Sequence, residues 1–110
     1  MAMTFDDVLA LASTLPGVEE STSYGTRAIK VKGKLMARLK EDGTTLVLAM
    51  DHVNRGLLLR DQPQIFFLTD HYRDYPWVLV RLSAVKRPQM RELVGDAWER
   101  VASKKPPKKK

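Results

Sequence analysis

The sequence predicts an α+β fold: an antiparallel sheet of about five strands, with N- and C-terminal helices packed on one face and the other face open. Apolar stripes at helical spacing stand near both ends of the chain, around Phe5 to Leu15 and Met90 to Val101, and the segments between them alternate apolar and polar residues. Turn signals such as Pro16-Gly17 and Asp42-Gly43 punctuate the alternating runs.

Thr4 caps the first helix, with Asp7 three residues on in place of the usual Glu of a capping box. Phe5, Val8, Leu9, Ala12 and Leu15 make its apolar stripe, and Pro16-Gly17 stops it. A polar link, GVEESTS, leads to a hairpin with strands from about Tyr24 to Val31 and Leu35 to Lys40 and a turn at Gly33 and Lys34. Asp42-Gly43 turns the chain into a third strand, TLVLAM. Asp51 caps a short second helix whose apolar residues are Val53, Leu57 and Leu58, closed by Pro63. IFFLT and WVLVRL are two further strands joined by the loop DHYRDYP; Val78, Val80 and Leu82 form one apolar face, and Trp77, Leu79 and Arg81 the other, mixed one. In the last helix, about Pro88 to Ala102, Met90, Leu93, Val94, Ala97, Trp98 and Val101 share a stripe, and Asp96 and Arg100 are spaced as an ion pair beside it. Lys86 and Arg87 precede it without a capping side chain, an unfavourable placement at the positive end of the helix that an anion there would offset.

A chain of 110 residues is read as one domain, residues 1–103, followed by a disordered Lys/Pro tail, residues 104–110. The absence of cysteine excludes disulfides, iron–sulfur clusters, Cys-based zinc sites and thiol nucleophiles. No signal peptide or membrane-length apolar run is present, so a cytoplasmic, non-membrane protein is expected, as a monomer. The net charge of +6 is unevenly placed. Five of the 19 cations lie in the final KKPPKKK, leaving 14 against 13 anions in the rest.

Six cations and no carboxylate lie between Arg27 and Lys40: Arg27, Lys30, Lys32, Lys34, Arg38 and Lys40. Alternation sets Lys30 and Lys32 opposite Ile29 and Val31. In the returning strand, Met36, Arg38 and Lys40 join the lysines, while Leu35, Ala37 and Leu39 face the core. A cationic two-stranded surface suits a polyanion, and nucleic acid is the commonest large one; the plainer alternative is a solvated sheet face. The loop around Tyr72, Arg73, Tyr75 and Trp77 interleaves aromatics with a cation, as stacking on bases and contacting phosphates require, or as ordinary loop packing does. Were Trp77 and Arg81 on the face of Lys30 and Arg38, both features would be one surface.

No metal, cofactor or catalytic constellation is expected. His52 and His71 are the only histidines and lack a short-spaced partner. His71 beside Asp70 and Asp74 is the sole acid–base candidate, unaccompanied by a nucleophile motif or phosphate loop.

The runs LPGVEESTSYGTRAIKVKGKLMARL, GTTLVLAMD and FFLTDHYRDYPWVLVRL resemble the MmcQ/YjbR family from Phe5 to about Ala102, most specifically in HYRDYPWVLVRL. The resemblance implies a CyaY-like (frataxin-like) fold and carries the label DNA-binding, from a likeness to a double wing, with no reaction assigned to the family as a whole. Tyr24, Gly25, Lys30, Lys32, Lys34, His71, Tyr72, Tyr75, Pro76 and Trp77 match it by position. Arg27 stands where proline is frequent, and Lys86-Arg87 where an acidic cap is usual. Iron handling is not implied, since the first helix offers only Asp6 and Asp7. The expectation is a DNA- or other nucleic-acid-binding protein that positions phosphates with Arg27, Lys30, Lys32, Lys34, Arg38, Lys40 and Arg81 and uses Tyr72, Arg73, Tyr75 and Trp77 for stacking or phosphate contact. The alternatives are a protein–protein adaptor with an apolar patch at Met36 and Trp77, and a small-molecule-binding module or enzyme centred on His71.

Overall fold

In the computed structural model, which describes residues 2–23 and 25–102, the capping box at the start of the chain is formed. The Thr4 hydroxyl accepts from the Asp7 amide at 3.2 Å, and the Asp7 carboxylate accepts from the Thr4 amide at 3.0 Å. They open helix α1 (Phe5–Ala12), which buries Phe5, Val8 and Ala12. The polar link after it is a strand. β1 (Val18–Ser23) pairs antiparallel with β2 (Thr26–Val31) along its whole length. As an edge strand with no buried residue, it needs no apolar alternation, so the sequence gives no period to read.

β2 turns into β3 (Lys34–Leu39) through Lys32 and Gly33, both at positive φ (53° and 83°), one residue earlier than the predicted Gly33-Lys34 turn. Two-residue hairpin turns need φ > 0 there because only that twist matches the flanking strands. A bulge then breaks the alternation. Ile29 faces Ala37, but Lys30 faces Leu35, so Met36 is the extra residue. Met36 is fully buried in the core, against the expectation that it lies with the lysines, and Leu35 takes the Lys30 side.

β4 (Thr45–Ala49) pairs with β3 and with β6 (Trp77–Arg81), and the short β5 (Phe66–Phe67) pairs with β6, giving the antiparallel order β1-β2-β3-β4-β6-β5. Between β4 and β5 lies α2 (His52–Asp61), and a 3-10 turn (Asp70–Tyr72) precedes β6. The last helix is α3 (Arg87–Ala102). It packs on α1 and across β2, β3 and β4, burying Ile29, Val31, Leu46, Leu48, Val78 and Val80 beneath the terminal helices. This is the predicted α+β arrangement.

The second face is not bare. The segment before β6 folds over it, and Tyr72 closes a small second core on Val47 and Leu79, with Phe67, Leu68 and Trp77 around it. Among the described residues no helix is long and apolar enough to cross a membrane. The tail at 104–110 lies outside the described residues.

Candidate nucleic-acid interface

Antiparallel register puts directly opposed residues on one side of the sheet. The row Ala28, Arg38, Val47, Leu79, Phe67 therefore crosses the second face from β2 to β5. Stepping by two along each strand adds Lys30, Trp77 and Arg81, so these three share the face of Arg38.

Sharing a face does not leave these cations available. Arg38 is only 6% exposed. Its guanidinium donates to the Tyr72 hydroxyl at 2.9 Å and to Thr26 Oγ1 at 3.1 Å, and lies 3.7 Å from the Glu41 carboxylate. It ties the β2–β3 hairpin to the loop that covers the second core. Lys40 lies 4.0 Å from the same carboxylate. The Glu41 carboxyl is held below its ordinary range by its own amide first, with Arg38 and Lys40 adding to it. Arg81 stacks over the Phe67 ring at 4.2 Å and donates to the Pro63 carbonyl. Arg73 is paired with Asp70 at 2.6 Å.

Arg27 is on the helical side. It lies 4.8 Å from the Phe5 ring centre and makes 2.7 Å contacts to both Glu20 and Asp6. Those partners, Glu20 first, raise its pKa. Alternation explains this placement, since Arg27 is in phase with Ile29 and Val31. The expected single cationic face is thus divided, and Glu20 belongs to the edge strand β1, not to a link.

Lys30, Lys32 and Lys34 differ from these cations. They stand at or beside the β2–β3 turn, and among the described residues none makes an ion pair. Lys30 is opposite Glu19 in the register without closing a bridge to it. Lys32 is the only non-glycine residue at positive φ among those described. The register sets this tip at the same end of the sheet as Pro76 and Trp77, because Ala37 faces Leu48 and Ala49 faces Trp77. β3 and β6 are separated there only by β4, about 10 Å in all at the usual strand spacing. Tyr75, at that end, is 57% exposed, whereas Trp77 is half-buried and Tyr72 buried. Tyr72 and Trp77 therefore pack more than they present.

His71 is exposed and stands edge-on to the Tyr72 ring, 4.7 Å between centres. Asp70 beside it is engaged by Arg73. Among the described residues no three His, Asp or Glu side chains converge as a metal site would need. Met36, one anchor of an adaptor patch, is buried.

Two features escaped the sequence reading. Arg55, the one buried residue of α2, donates to four carbonyls: Tyr75 at 2.6 Å, Arg73 at 2.8 Å, Trp77 at 3.1 Å and Tyr72 at 3.2 Å. In the turn-rich stretch 69–76 backbone amides reach the carbonyls of Thr69, Asp70, Tyr72, Tyr75 and Pro76, and the planar donor of Arg55 adds to those of Tyr72 and Tyr75 and supplies that of Arg73. An arginine inside a helix just upstream of an irregular aromatic loop was the available signal. The other is Arg87, which contacts Asp7 at 3.3 Å. The anion at the poorly capped start of α3 is the capping-box carboxylate of α1.

Together these elements define a small α+β protein with helices on one side of a six-stranded antiparallel sheet and a basic hairpin tip beside an aromatic loop. The YjbR family model matches residues 13–100, and the chain belongs to that family. It is 30% identical to the uncharacterized protein Mb2600 of Mycobacterium bovis and, equally, to the uncharacterized protein Rv2570 of Mycobacterium tuberculosis, over 92% of this chain and 90% of each relative. The crystal structure of Deinococcus radiodurans protein DR2400, which has a DUF419 domain, superposes with a TM-score of 0.80 at 25% identity, covering 94% of this chain and 81% of that one.

Proposed function

We propose that this chain binds nucleic acid through its phosphates, with Lys30, Lys32 and Lys34 at the hairpin tip as the main contact and Tyr75 as an exposed ring beside them. The reading rests on one contrast. Arg27, Arg38, Lys40 and Arg73 are held by carboxylates of the protein itself, whereas among the described residues the three tip lysines make no ion pair. Lys32 supports it further. A non-glycine residue in the left-handed region costs on the order of 1 kcal/mol, and Asn or Gly fits that turn position better. The lysine there is read as placed for what its charge does outside the fold. Contacts of this kind position a backbone and carry little base readout.

Fluorescence anisotropy with duplex DNA tests the reading on the full chain. Three neutralised phosphates give a slope of log affinity against log salt of about −2.7. The triple variant K30E/K32E/K34E has the same tail as its parent, so a difference between them reports the tip alone. The expected result is at least tenfold weaker binding and a flatter slope; equal affinity of parent and variant would overturn the proposal.

A further inference from the structure

Among the described residues Tyr75 is the one exposed tyrosine, tryptophan or phenylalanine. Its backbone is held from three sides. The N–H donates to the Tyr72 carbonyl at 3.1 Å, and the carbonyl accepts from the Trp77 amide at 2.8 Å and from the buried Arg55 guanidinium at 2.6 Å. Its side chain, by contrast, is unused: among the described residues the hydroxyl has no hydrogen-bond partner and the ring no stacked neighbour. A ring with two side-chain torsions on a fixed backbone loses little conformational freedom when a flat partner lies against it.

The charges around this ring divide into a phosphate end and a base end. The lysines of the hairpin tip stand across β4, about 10 Å away at the usual strand spacing, which is about three nucleotides of rise at ~3.4 Å each. Asp51, which follows β4 at that end, does not bar the way, because its carboxylate is taken by the amide and side chain of Asn54. Asp74, exposed beside Tyr75, makes no ion pair among the described residues. A carboxylate there disfavours a phosphate against the ring and offers an acceptor to base amino groups instead.

We infer that the ligand of this surface is single-stranded nucleic acid, with Lys30, Lys32 and Lys34 on its backbone and Tyr75 stacked on an unpaired base. The inference rests on the nucleic-acid reading above and narrows it. A duplex shows the faces of its bases only at its ends, so along its length the ring meets sugar and phosphate but no base. An unpaired strand turns a base onto it. The lysines serve either form, since both carry phosphates, and the ring sets the preference between them. Every base has a π-face, so this contact selects strandedness and leaves sequence unread.

Fluorescence anisotropy with the full chain tests this on three probes: a labelled mixed-sequence DNA strand of about 20 nucleotides, long enough to fill a single-strand site, its duplex with the complement, and the same strand with abasic sites in place of its bases. Tyr75→Ala is expected to weaken the strand at least about fivefold more than the duplex, as the loss of one base–aromatic stack requires. Tyr75→Phe keeps the ring and should restore the affinity. On the abasic strand the Tyr75→Ala loss should shrink to that on the duplex. Equal losses on all three probes, or a Tyr75→Phe protein as weak as Tyr75→Ala, overturn the inference. An RNA strand of the same sequence is run alongside, and absence of the Tyr75→Ala loss on whichever strand binds tighter overturns it equally. The two readings fail separately. Parental affinity of K30E/K32E/K34E for every probe removes the nucleic-acid reading and this inference with it, whereas a weakened triple variant beside a Tyr75→Ala protein that treats strand and duplex alike removes this inference only.

Discussion

Arg55 is the residue on which the loop over the second core depends. Its guanidinium is buried, and among the described residues it makes no ion pair and is satisfied by carbonyl dipoles. Replacing it by methionine keeps much of the volume and removes the side-chain donor from all four carbonyls; those of Tyr72 and Tyr75 keep a backbone N–H, from Tyr75 and Trp77, while those of Arg73 and Trp77 lose the guanidinium. Each one left buried and unpaired costs about 1–3 kcal/mol, so Arg55→Met is expected to lose about 3 kcal/mol or more in urea denaturation. Arg55→Lys recovers only part, because an ammonium lacks the planar fork. A loss under about 0.5 kcal/mol for Arg55→Met would contradict this account. Tyr72→Phe tests the other tie. It removes the acceptor of a bond from a charged donor, about 1.5–3 kcal/mol, while keeping the ring on Val47 and Leu79. Charge was legible at this scale and partners were not. Nothing in the sequence near Arg38 points to Tyr72, 34 positions away, and nothing near Arg27 points to Asp6 on the first helix. A run of cations shows that charge is present, and the tertiary fold decides which of it is already spent.

At the scale of elements, strongly periodic segments were readable and irregular ones were not. α1, α3, β4 and β6 follow from their apolar spacing, since burial on one or both faces imposes that spacing. β1 escaped because an edge strand need bury little, and the Met36 bulge escaped because one inserted residue shifts the phase of everything on one side of it. α2 is legible from its Asp51 cap and from Pro63 beyond it, but its inward side is not: its buried residue is Arg55, while the apolar Val53 is 74% exposed. The hairpin turn gives the sharpest prediction here. Gly33 sits at φ 83° with open space around it, so Gly33→Ala adds no clash and costs only the left-handed strain, about 1–2 kcal/mol. Lys32→Asn should do the reverse and raise the unfolding midpoint, because asparagine tolerates that region better. If Lys32 is kept for its charge, the same substitution weakens duplex binding as it stabilises the fold. A Lys32→Asn protein that is both less stable and equally tight would refute the strain argument and the functional one together.

For the whole molecule, three aspartates set the response to acid. Asp7, Asp42 and Asp51 each start an element or turn, and each has a pKa lowered chiefly by a backbone amide, of Thr4, Thr44 and Asn54 respectively. Glu41 is lowered by its own amide and Asp61 by Arg60. A carboxylate with a lower pKa in the folded state binds its proton first in the unfolded chain. Its contribution is therefore complete above the unfolded value, 3.8 for aspartate, and is lost as pH falls through that value toward the lower folded one. The urea midpoint is expected to be insensitive to these groups between pH 6 and 5 and to decline below about pH 4. The same protonation adds to a chain already at +6, so self-repulsion grows as the caps fail and steepens the decline. In a D7N/D42N/D51N variant the caps no longer titrate, and the slope below pH 4 should flatten, with Glu41 and Asp61 supplying what remains. Equal slopes for parent and variant would mean that net charge alone drives acid unfolding and that the amide-bound carboxylates contribute nothing to it.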